Sequence, residues 1–331
     1  MEIIAELGQG YEGRPEQARL LMKAAASAGA DAAKYQLVYA DELATPDYKY
    51  YSLFASLEME DAVWEGLASY AAELRIGLQL DIFGQRSLQL ATRVGAAAVK
   101  LHGTDLSNLG LLREVASSPA ARILLGAGGA KAGEIEAALT LLAAKPVVVL
   151  LGFQGYPTPD HANQIARVTD LAGRLPLLHP DVRLGFADHA APDNPLRCAL
   201  AATAIGAGAT VVEKHLTLGR GMKLEDHESA LNPDEFSEFV QVIRGCASAI
   251  GVLSKADDFG MSDAEQAYRT MIRRHVVTCR DLSAGATLVP AVLALKRTSA
   301  ALALTDPREA YGKALTRDIM KDAPILPADL A

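Results

Sequence analysis

The sequence predicts an α/β protein, with a (β/α)₈ TIM barrel over residues 1–255 and a small β-rich domain over residues 271–331. Short apolar runs rich in β-branched residues alternate about eight times with longer segments of helical periodicity before residue 255. This alternation is typical of parallel βα units, and eight units in about 250 residues is the usual size of such a barrel. Half of the residues are hydrophobic and only 5% are aromatic, which favours an α/β protein.

Eight strands and a set of amphipathic helices follow from these patterns in chain order. The predicted strands are Ile3–Leu7, Ala32–Gln36, Ile76–Asp81, Ala97–Leu101, Arg122–Gly126, Val147–Gly152, Arg183–Phe186 and Thr210–His215. The clearest helices are Pro15–Ala28, Glu60–Glu73, Ala132–Leu142, Asn194–Ile205 and Pro233–Ile250, several of which open with Pro or Asp in the first turn. A Tyr-rich insertion after the second strand, residues 41–54, is predicted to fold over the barrel mouth.

The periodic pattern ends near residue 255, where charged residues, Gly260 and Ser262 predict a linker over residues 256–270. Beyond it, short strand-like runs alternate with turns, and the Arg-Asp-Leu and Arg-Asp-Ile turns at 280–282 and 317–319 form a weak internal repeat. A β-rich module of this size has a small core. We therefore expect it to dock on another surface.

Charge and hydropathy exclude several classes of protein. The formal net charge of −8 argues against a nucleic-acid partner or an anionic membrane, because both require a basic surface. The first residues form a strand pattern without a basic segment and a following signal-peptide core, and no apolar run approaches the roughly 20 residues that span a bilayer. The expected location is the cytoplasm.

Polar side chains at the carboxyl ends of the predicted strands are the candidate functional residues, because active sites of (β/α)₈ barrels lie at that face. They are Glu6 on the first strand, Lys34 and Gln36 on the second, Lys100 and then Asp105 at the fourth, Gln154 and Tyr156 after the sixth, Asp188 and His189 at the seventh, and Glu213, Lys214 and His215 on the eighth.

His189 and His215 end neighbouring strands of the predicted barrel, so both imidazoles could bind one divalent ion with open positions for water and substrate. Lys34 and Lys100 lie within apolar strands, where an ammonium group needs an anionic partner. For Lys34 that partner is either a substrate carboxylate or phosphate, or Glu6 on the next strand. The other histidines with no such neighbours are predicted to be surface or loop residues; they are His102, His161, His179 and His275.

A polar loop with two glycines, residues 218–229, follows the last strand and is predicted to cap the substrate with Asp226. It lacks the Lys-Ser/Thr spacing and the following helix of a phosphate-binding loop, which argues against a nucleotide site.

Seven segments of the chain form a recognisable series of motifs: AELGQGYEG (5–13), GADAAKYQ (29–36), VKLHGTDLSN (99–108), GYPTP (155–159), LGFADHAA (184–191), VVEKHLTL (211–218) and LEDHESALNPDEF (224–236). In order and spacing these segments resemble the sialic acid synthase (N-acetylneuraminate synthase) family. The last two stretches are the most specific. The C-terminal module resembles the antifreeze-like, or SAF, β-clip domain of that family.

The resemblance implies a metal-dependent condensation of phosphoenolpyruvate with an N-acylated aminosugar aldehyde that releases phosphate. Mn²⁺ is the expected ion, bound by His189 and His215, with Mg²⁺, Co²⁺ or Zn²⁺ as alternatives. The implied catalytic carboxylates are Glu6, Glu213 and Asp188. The implied substrate-binding residues are Lys34, Gln36, Lys100, Asp105, Gln154, Tyr156, Asp226 and Arg297. Arg297 would act in the site of the partner subunit, which implies a domain-swapped homodimer.

The sequence departs from the family pattern where hydroxyl side chains bind the phosphate. Leu80-Asp-Ile-Phe83 replaces a Ser-Thr-Pro-Phe motif, Gly126-Ala-Gly-Gly129 replaces Ser-Thr-Gly-Met, and Ala187 replaces a serine. Two hypotheses follow. Either the backbone amides of 126–129 hold the phosphate together with the two lysines, or the protein is a metal-dependent lyase, aldolase or epimerase that acts on a carboxylated sugar without phosphoenolpyruvate. A catalytically inactive sugar-binding protein is a third alternative.

Overall fold

The computed structural model describes residues 1–251 and 259–331. Two compact units are present, Met1–Gly251 and Val252–Ala331, and their boundary lies close to the predicted end of the barrel at residue 255. Within the described residues, none of the helices combines the length and the hydropathy needed to cross a bilayer.

The first unit is a closed barrel of eight parallel strands in sequential order, which confirms the predicted (β/α)₈ fold. The strands are β1 (Glu2–Gly8), β2 (Ala32–Gln36), β3 (Gly77–Asp81), β4 (Ala98–Leu101), β5 (Ile123–Gly126), β6 (Val147–Leu151), β7 (Arg183–Asp188) and β8 (Val211–His215). The barrel closes through β1, which pairs with both β2 and β8.

The helices connect successive strands and form the outer layer. They are α1 (Pro15–Ser27), α2 (Ala40–Leu43), α3 (Tyr51–Leu57), α4 (Asp61–Leu74), α5 (Gln85–Arg93), α6 (Leu109–Ser117), α7 (Ala132–Leu141), α8 (Ala166–Arg174), α9 (Arg197–Gly206) and α10 (Pro233–Ile250). The Tyr-rich insertion forms α2, α3 and the segment between them. Because Pro fixes the backbone dihedral φ near its helical value, Pro15 and Pro233 suit the first positions of α1 and α10.

Side chains on one strand alternate between the barrel interior and the helical layer. The alternation divides the buried apolar residues into two clusters. A small apolar cluster fills the interior; its members are Ile4, Ala32, Ala98, Leu124, Val148, Leu150 and Val211. A much larger apolar core lies between the strands and the helices. At the amino-terminal face, the Glu2 carboxylate binds Arg122 through two contacts of 2.5 and 2.7 Å and accepts from Arg183 at 3.3 Å. These ion pairs cover that end of the barrel.

The second unit is rich in β structure, as predicted. Its strands β9 (His275–Thr278) and β10 (Leu293–Lys296) pair antiparallel, and a separate core of nine buried residues packs around them. Part of the predicted linker is helical: α11 (Asp263–Ile272) begins after Ser262, whose hydroxyl accepts from the Glu265 backbone N–H at 3.2 Å. The Ser-x-x-Glu spacing is a helix start signal. The linker prediction overlooked it because it relied on the charged residues and Gly260. Residues 256–258 of the predicted linker lie outside the described residues.

Two of the histidines predicted as surface or loop residues are buried; His179 lies in a loop, as predicted, whereas His275 lies in a strand. His179 is 3% exposed, and its backbone N–H donates to the Leu175 carbonyl oxygen at 2.9 Å. His275 is 9% exposed because it lies in β9 and pairs with β10.

Candidate active site

Five charged side chains meet inside the carboxyl-terminal end of the barrel. Glu6, Lys34, Asp81, Lys100 and Glu213 come from five strands, and we call them the charged cluster. Four of these residues lie two positions after a member of the interior apolar cluster, so each side chain points inward. The strand register places Glu6 beside Lys34 and Asp81 beside Lys100.

The two ammonium groups of the charged cluster are shared among its three carboxylates. The Lys34 Nζ contacts Glu6 Oε2 and lies 2.7 Å from Asp81 Oδ1 and 3.5 Å from Glu213 Oε2. The Lys100 Nζ lies 3.0 Å from Glu213 Oε1, 3.6 Å from Asp81 Oδ2 and 3.7 Å from Glu6 Oε2. All five side chains are at most 4% exposed. The pairing of Lys34 with Glu6, one of the two sequence alternatives, is present.

Burial and ion pairing oppose each other in the charged cluster. Burial raises the pKa of Glu6 to about 7, although Lys34 attracts its charge. Burial also disfavours charge on Asp81, but Lys100, Lys34 and a hydrogen bond from His102 hold the pKa of this carboxyl well below its usual range. The pKa of Lys34 and that of Lys100 are raised by Asp81 and Glu213 despite burial. The three carboxylates and two ammonium groups thus carry one net negative charge, or none when Glu6 is protonated.

His102 lies in a loop, as predicted, but it also contacts the charged cluster, which was not predicted. Its Nε2 lies 2.9 Å from Asp81 Oδ2, and its ring lies 5.4 Å from that of Phe83. His102 follows β4 two positions after Lys100, so strand periodicity places both side chains toward the same face. That spacing could have identified it from the sequence.

The second feature of the site is a pair of histidines beside the charged cluster. The rings of His189 and His215 lie 5.2 Å apart, and the Tyr156 ring contacts them edge-on at 5.3 and 5.6 Å. Burial lowers the pKa of His189 to about 4 and that of His215 well below its usual value, so both imidazoles are neutral at pH 7. Neutral imidazole is the form that binds metal ions.

The histidine pair fits a divalent metal ion. His189 Nδ1 lies 3.2 Å from the Ala187 carbonyl oxygen, which leaves its Nε2 as a ligand atom. Glu213 Oε2 is buried and has no hydrogen-bond partner within residues 1–251 and 259–331. In that part of the chain, no group of three or more His, Cys, Asp or Glu side chains could hold a metal ion by itself. Water or substrate would therefore complete the coordination of an ion bound by the histidine pair.

Asp226, predicted to cap the substrate, lies over the end of β1. A Cβ added at Gly8 would be 3.0 Å from Asp226 Oδ2, 3.8 Å from Glu6 Oε1 and 3.9 Å from His215 Cε1, so these three groups surround Gly8. Burial raises the pKa of Asp226 to about 6, helped by the charges of Glu225 and of Glu228. Its loop is attached to α10 because Arg220 pairs with Glu235.

A cavity of about 750 Å³ opens beside the charged cluster. The Tyr-rich insertion forms one wall, as predicted, and aromatic rings alternate there with polar groups. The cavity is lined by Gln9, Gln36, Asp41, Glu42, Leu43, Ala44, Thr45, Tyr48, Phe54, Phe83, His102, Thr104 and Asp105. Gln36 accepts a hydrogen bond of 2.7 Å from Gln9. Two predicted substrate-binding residues, Gln36 and Asp105, therefore share this cavity with His102.

The sequence matches two known protein-family models. Residues 21–255 match the NeuB family, and residues 273–331 match the SAF domain. The chain belongs to the NeuB family. The family match covers the charged cluster apart from Glu6, and it covers both histidines of the pair.

Named NeuB-type relatives are carbohydrate-biosynthesis proteins. The spore coat polysaccharide biosynthesis protein SpsE of Bacillus subtilis is 31% identical over 73% of this chain and 66% of its own length, slightly under two thirds. The N,N'-diacetyllegionaminic acid synthase of Campylobacter jejuni is 27% identical over 97% of both chains. A solved N-acetylneuraminic acid synthetase from Leptospira borgpetersenii has the same fold, with a TM-score of 0.72, 23% identity, and coverage of 82% of this chain and 91% of that one.

Asp188 and Gln154 are not part of the charged cluster of this NeuB barrel, and Arg297 belongs to the second unit. Asp188 is on the outer face of β7, where it accepts from Lys214 Nζ at 3.3 Å and from the Ala190 N–H at 2.8 Å. Its predicted catalytic role is therefore not supported, because period two directs His189 inward and Asp188 outward. Gln154 is exposed after β6, and Arg297 is exposed after β10 in the second unit.

Proposed function

We propose that this NeuB-family enzyme joins a three-carbon donor to the aldehyde carbon of an N-acylated aminosugar, giving a sialic-acid-like nonulosonic acid. The observation that carries the proposal is the position of Lys34 and Lys100 beside the pair His189 and His215. This arrangement supports a cationic group for the donor carboxylate and a metal site for the aldehyde at one end of the barrel. The synthase names of the relatives support the same reaction class.

The lysines attract the donor carboxylate by charge-assisted hydrogen bonds. Glu6 is suited to deliver a proton to the aldehyde oxygen, because its pKa of about 7 keeps a proton available near neutral pH. Tyr156 and Asp226 border the histidine pair and are placed to contact the sugar. His189 and His215 would hold a divalent ion, with Mn²⁺ as the expected one. When bound, such an ion supplies Lewis-acid polarisation of the aldehyde.

Two donors fit this proposal. Phosphoenolpyruvate, which the family resemblance predicts, would release phosphate as the new bond forms. A donor without phosphate would make the enzyme an aldolase or lyase of a carboxylated sugar. The second candidate is favoured by Asp81, whose carboxylate contacts Lys34 and lies 3.6 Å from Lys100.

The test combines the protein, Mn²⁺ and an N-acylated mannosamine-type sugar with either phosphoenolpyruvate or pyruvate. Mass spectrometry detects the nonulosonic acid, and a phosphate assay distinguishes the donors. Reactions without sugar and without metal are the controls. We expect product from one of the two donors, dependent on both the sugar and the metal. No product from either donor would refute the proposed function and favour a catalytically inactive sugar-binding protein.

A further inference from the structure

Asp188 and Lys214 form an ion pair beside the histidine pair, and neither residue takes part in the proposed reaction. The Lys214 Nζ lies 3.3 Å from Asp188 Oδ1, and both side chains are completely buried. Asp188 directly precedes His189 in the chain, and Lys214 directly precedes His215. The ion pair therefore joins the residues that come immediately before the two predicted metal ligands.

The ion pair also holds the backbone on the other side of His189. The Lys214 ammonium group donates to the Ala190 carbonyl oxygen at 2.7 Å, and Asp188 Oδ1 accepts from the Ala190 N–H at 2.8 Å. Both backbone polar groups of Ala190 are thus bound by the ion pair. His189 lies between two anchored residues, Asp188 and Ala190, and this limits how far its own backbone can move.

These contacts begin where the pairing of β7 with β8 ends. Asp188 and Lys214 are the last residues in register between the two strands, and His189 follows the end of β7. The His189 carbonyl oxygen accepts from two loop residues, from the Thr158 N–H at 2.9 Å and from the Ser229 hydroxyl at 3.0 Å. The ion pair adds a connection to β8, the strand that carries the second histidine.

Stability alone does not explain a buried ion pair at this position. Removing two charges from water is costly, and replacing a buried pair with well-packed apolar side chains is often neutral or stabilising. Asp188 Oδ2 is also buried without a hydrogen-bond partner in the parts of the chain that the structure describes, which adds to the cost. Apolar side chains in the same space could not bind the N–H and the carbonyl oxygen of Ala190. The charges therefore provide a hold on the backbone around His189.

We propose that the Asp188–Lys214 ion pair positions His189 and thereby sets the affinity of the histidine pair for its divalent ion. The inference rests on the metal site of the proposed function, and it gives Asp188 a positioning role in place of a catalytic one. Both side chains point to the outer face of the strands, so they act on the ion through the backbone and not by contact. Replacing a group that orients a metal ligand usually weakens metal binding about 10- to 100-fold.

The test measures Mn²⁺ binding by the full-length protein and by its double variant Asp188→Asn, Lys214→Met. This variant nearly preserves both side-chain volumes and leaves no unpaired charge in the interior. The new amide can still accept from the Ala190 N–H, but nothing replaces the bond from Lys214 to the Ala190 carbonyl oxygen. We expect the metal-free variant to unfold at a urea concentration close to that of the wild type. Its Mn²⁺ dissociation constant, measured by EPR, should rise about 10- to 100-fold.

The matched control removes an ion pair at the opposite end of the same barrel. Glu2 and Arg122 pair at the amino-terminal face, and the double variant Glu2→Gln, Arg122→Met removes both charges there. Both double variants leave the net charge of the protein unchanged. The control should bind Mn²⁺ with the wild-type dissociation constant. The visible spectrum of bound Co²⁺, which reports ligand geometry, should change in the Asp188/Lys214 double variant and not in the control.

Hydrogen exchange in the metal-free wild type tests the inference even if the double variant fails to fold. The Ala190 amide should exchange as slowly as the amides of β7, because Asp188 accepts its hydrogen bond. Rapid exchange at Ala190 overturns the inference. A dissociation constant that is unchanged in the folded double variant, or raised equally in the control, also overturns it but leaves the metal site standing. A wild-type protein that binds neither Mn²⁺ nor Co²⁺ overturns the metal site of the proposed function and this inference together.

Discussion

Burial decides how His189 and His215 can act. Both side chains are at most 4% exposed. Burial removes the water that would stabilise a charged imidazole, so it lowers the pKa of both residues and keeps them neutral at neutral pH. Two neutral imidazoles 5.2 Å apart on adjacent strands suit the proposed role of metal ligands. The predicted roles of these residues thus have a physical basis in their surroundings as well as in their order along the chain.

The first prediction concerns metal binding by the histidine pair. His189→Ala and His215→Ala should each lose the bound divalent ion while the barrel stays folded, because each removes one of two protein ligands. Metal analysis of the purified variants measures this, and circular dichroism checks the fold. His161→Ala is the control, since His161 is exposed and outside the site. Full metal occupancy in either site variant would show that the pair is not the metal site.

The second prediction is a pH dependence of stability in the metal-free protein. His189 has a pKa of about 4 when folded and near 6.5 when unfolded, so between these values the unfolded chain binds the extra proton. Stability should therefore fall as the pH decreases from 6.5 towards 4. Urea unfolding at about pH 7 and about pH 5 should show that His189→Gln loses about 1 to 2 kcal/mol less than the wild type. An equal loss in both proteins would contradict the assigned pKa.

Glycines follow three neighbouring strands of the barrel and determine how closely the backbone packs there. Gly103, Gly128 and Gly152 allow the backbone after β4, β5 and β6 to approach the next strand end closely. Such contact explains why glycines occupy these positions, since any Cβ would overlap a carbonyl oxygen.

The third prediction tests this close approach with two Gly→Ala substitutions. Gly152→Ala places a Cβ 2.2 Å from the Ala187 carbonyl oxygen and should lower the unfolding free energy by about 1 to 3 kcal/mol or more. Gly245→Ala is the control, because Gly245 is exposed within α10 and has open space around it. It should raise stability by about 1 kcal/mol through helix propensity. Equal effects of the two substitutions in denaturant unfolding would rule out the proposed contact.

Strand positions were predictable because buried parallel strands have a strong hydrophobic signal. Predicted and observed ends differ by at most two residues, and β2 matches at both ends. The contact between Lys34 and Glu6 was one of the two alternatives that their positions on neighbouring strands allowed. The link between Asp81 and His102 was not predicted, since it depends on a hydrogen bond between neighbouring strand ends that no local pattern shows. The outward direction of Asp188 was not predicted either, because a strand-end position alone does not give the face of the strand.

At the scale of the whole molecule, the chain combines two units with separate apolar cores. The first contains every predicted site residue except Arg297. Arg297 is exposed after β10 and has no hydrogen bond or ion pair within the described residues. Its predicted role is to bind a ligand at another surface. The family resemblance predicts that this surface is the active site of a partner subunit.

The last prediction therefore uses mixed dimers. The Arg297→Ala variant keeps an intact barrel but lacks the Arg297 side chain, which we call the arm. The His215→Ala variant keeps the arm but lacks a predicted metal ligand. Each homodimer should therefore be inactive. Co-expression with two affinity tags isolates the mixed dimer. If the arm acts across the interface, the Arg297→Ala barrel receives an intact arm from its partner, and one of two sites should work, giving about half of wild-type turnover per dimer. A mixed dimer of Arg297→Ala with the double variant should stay inactive. Light scattering that gives a monomer, or mixed dimers without recovered activity, would exclude the swapped arrangement, because an arm that acts on its own barrel cannot rescue either variant.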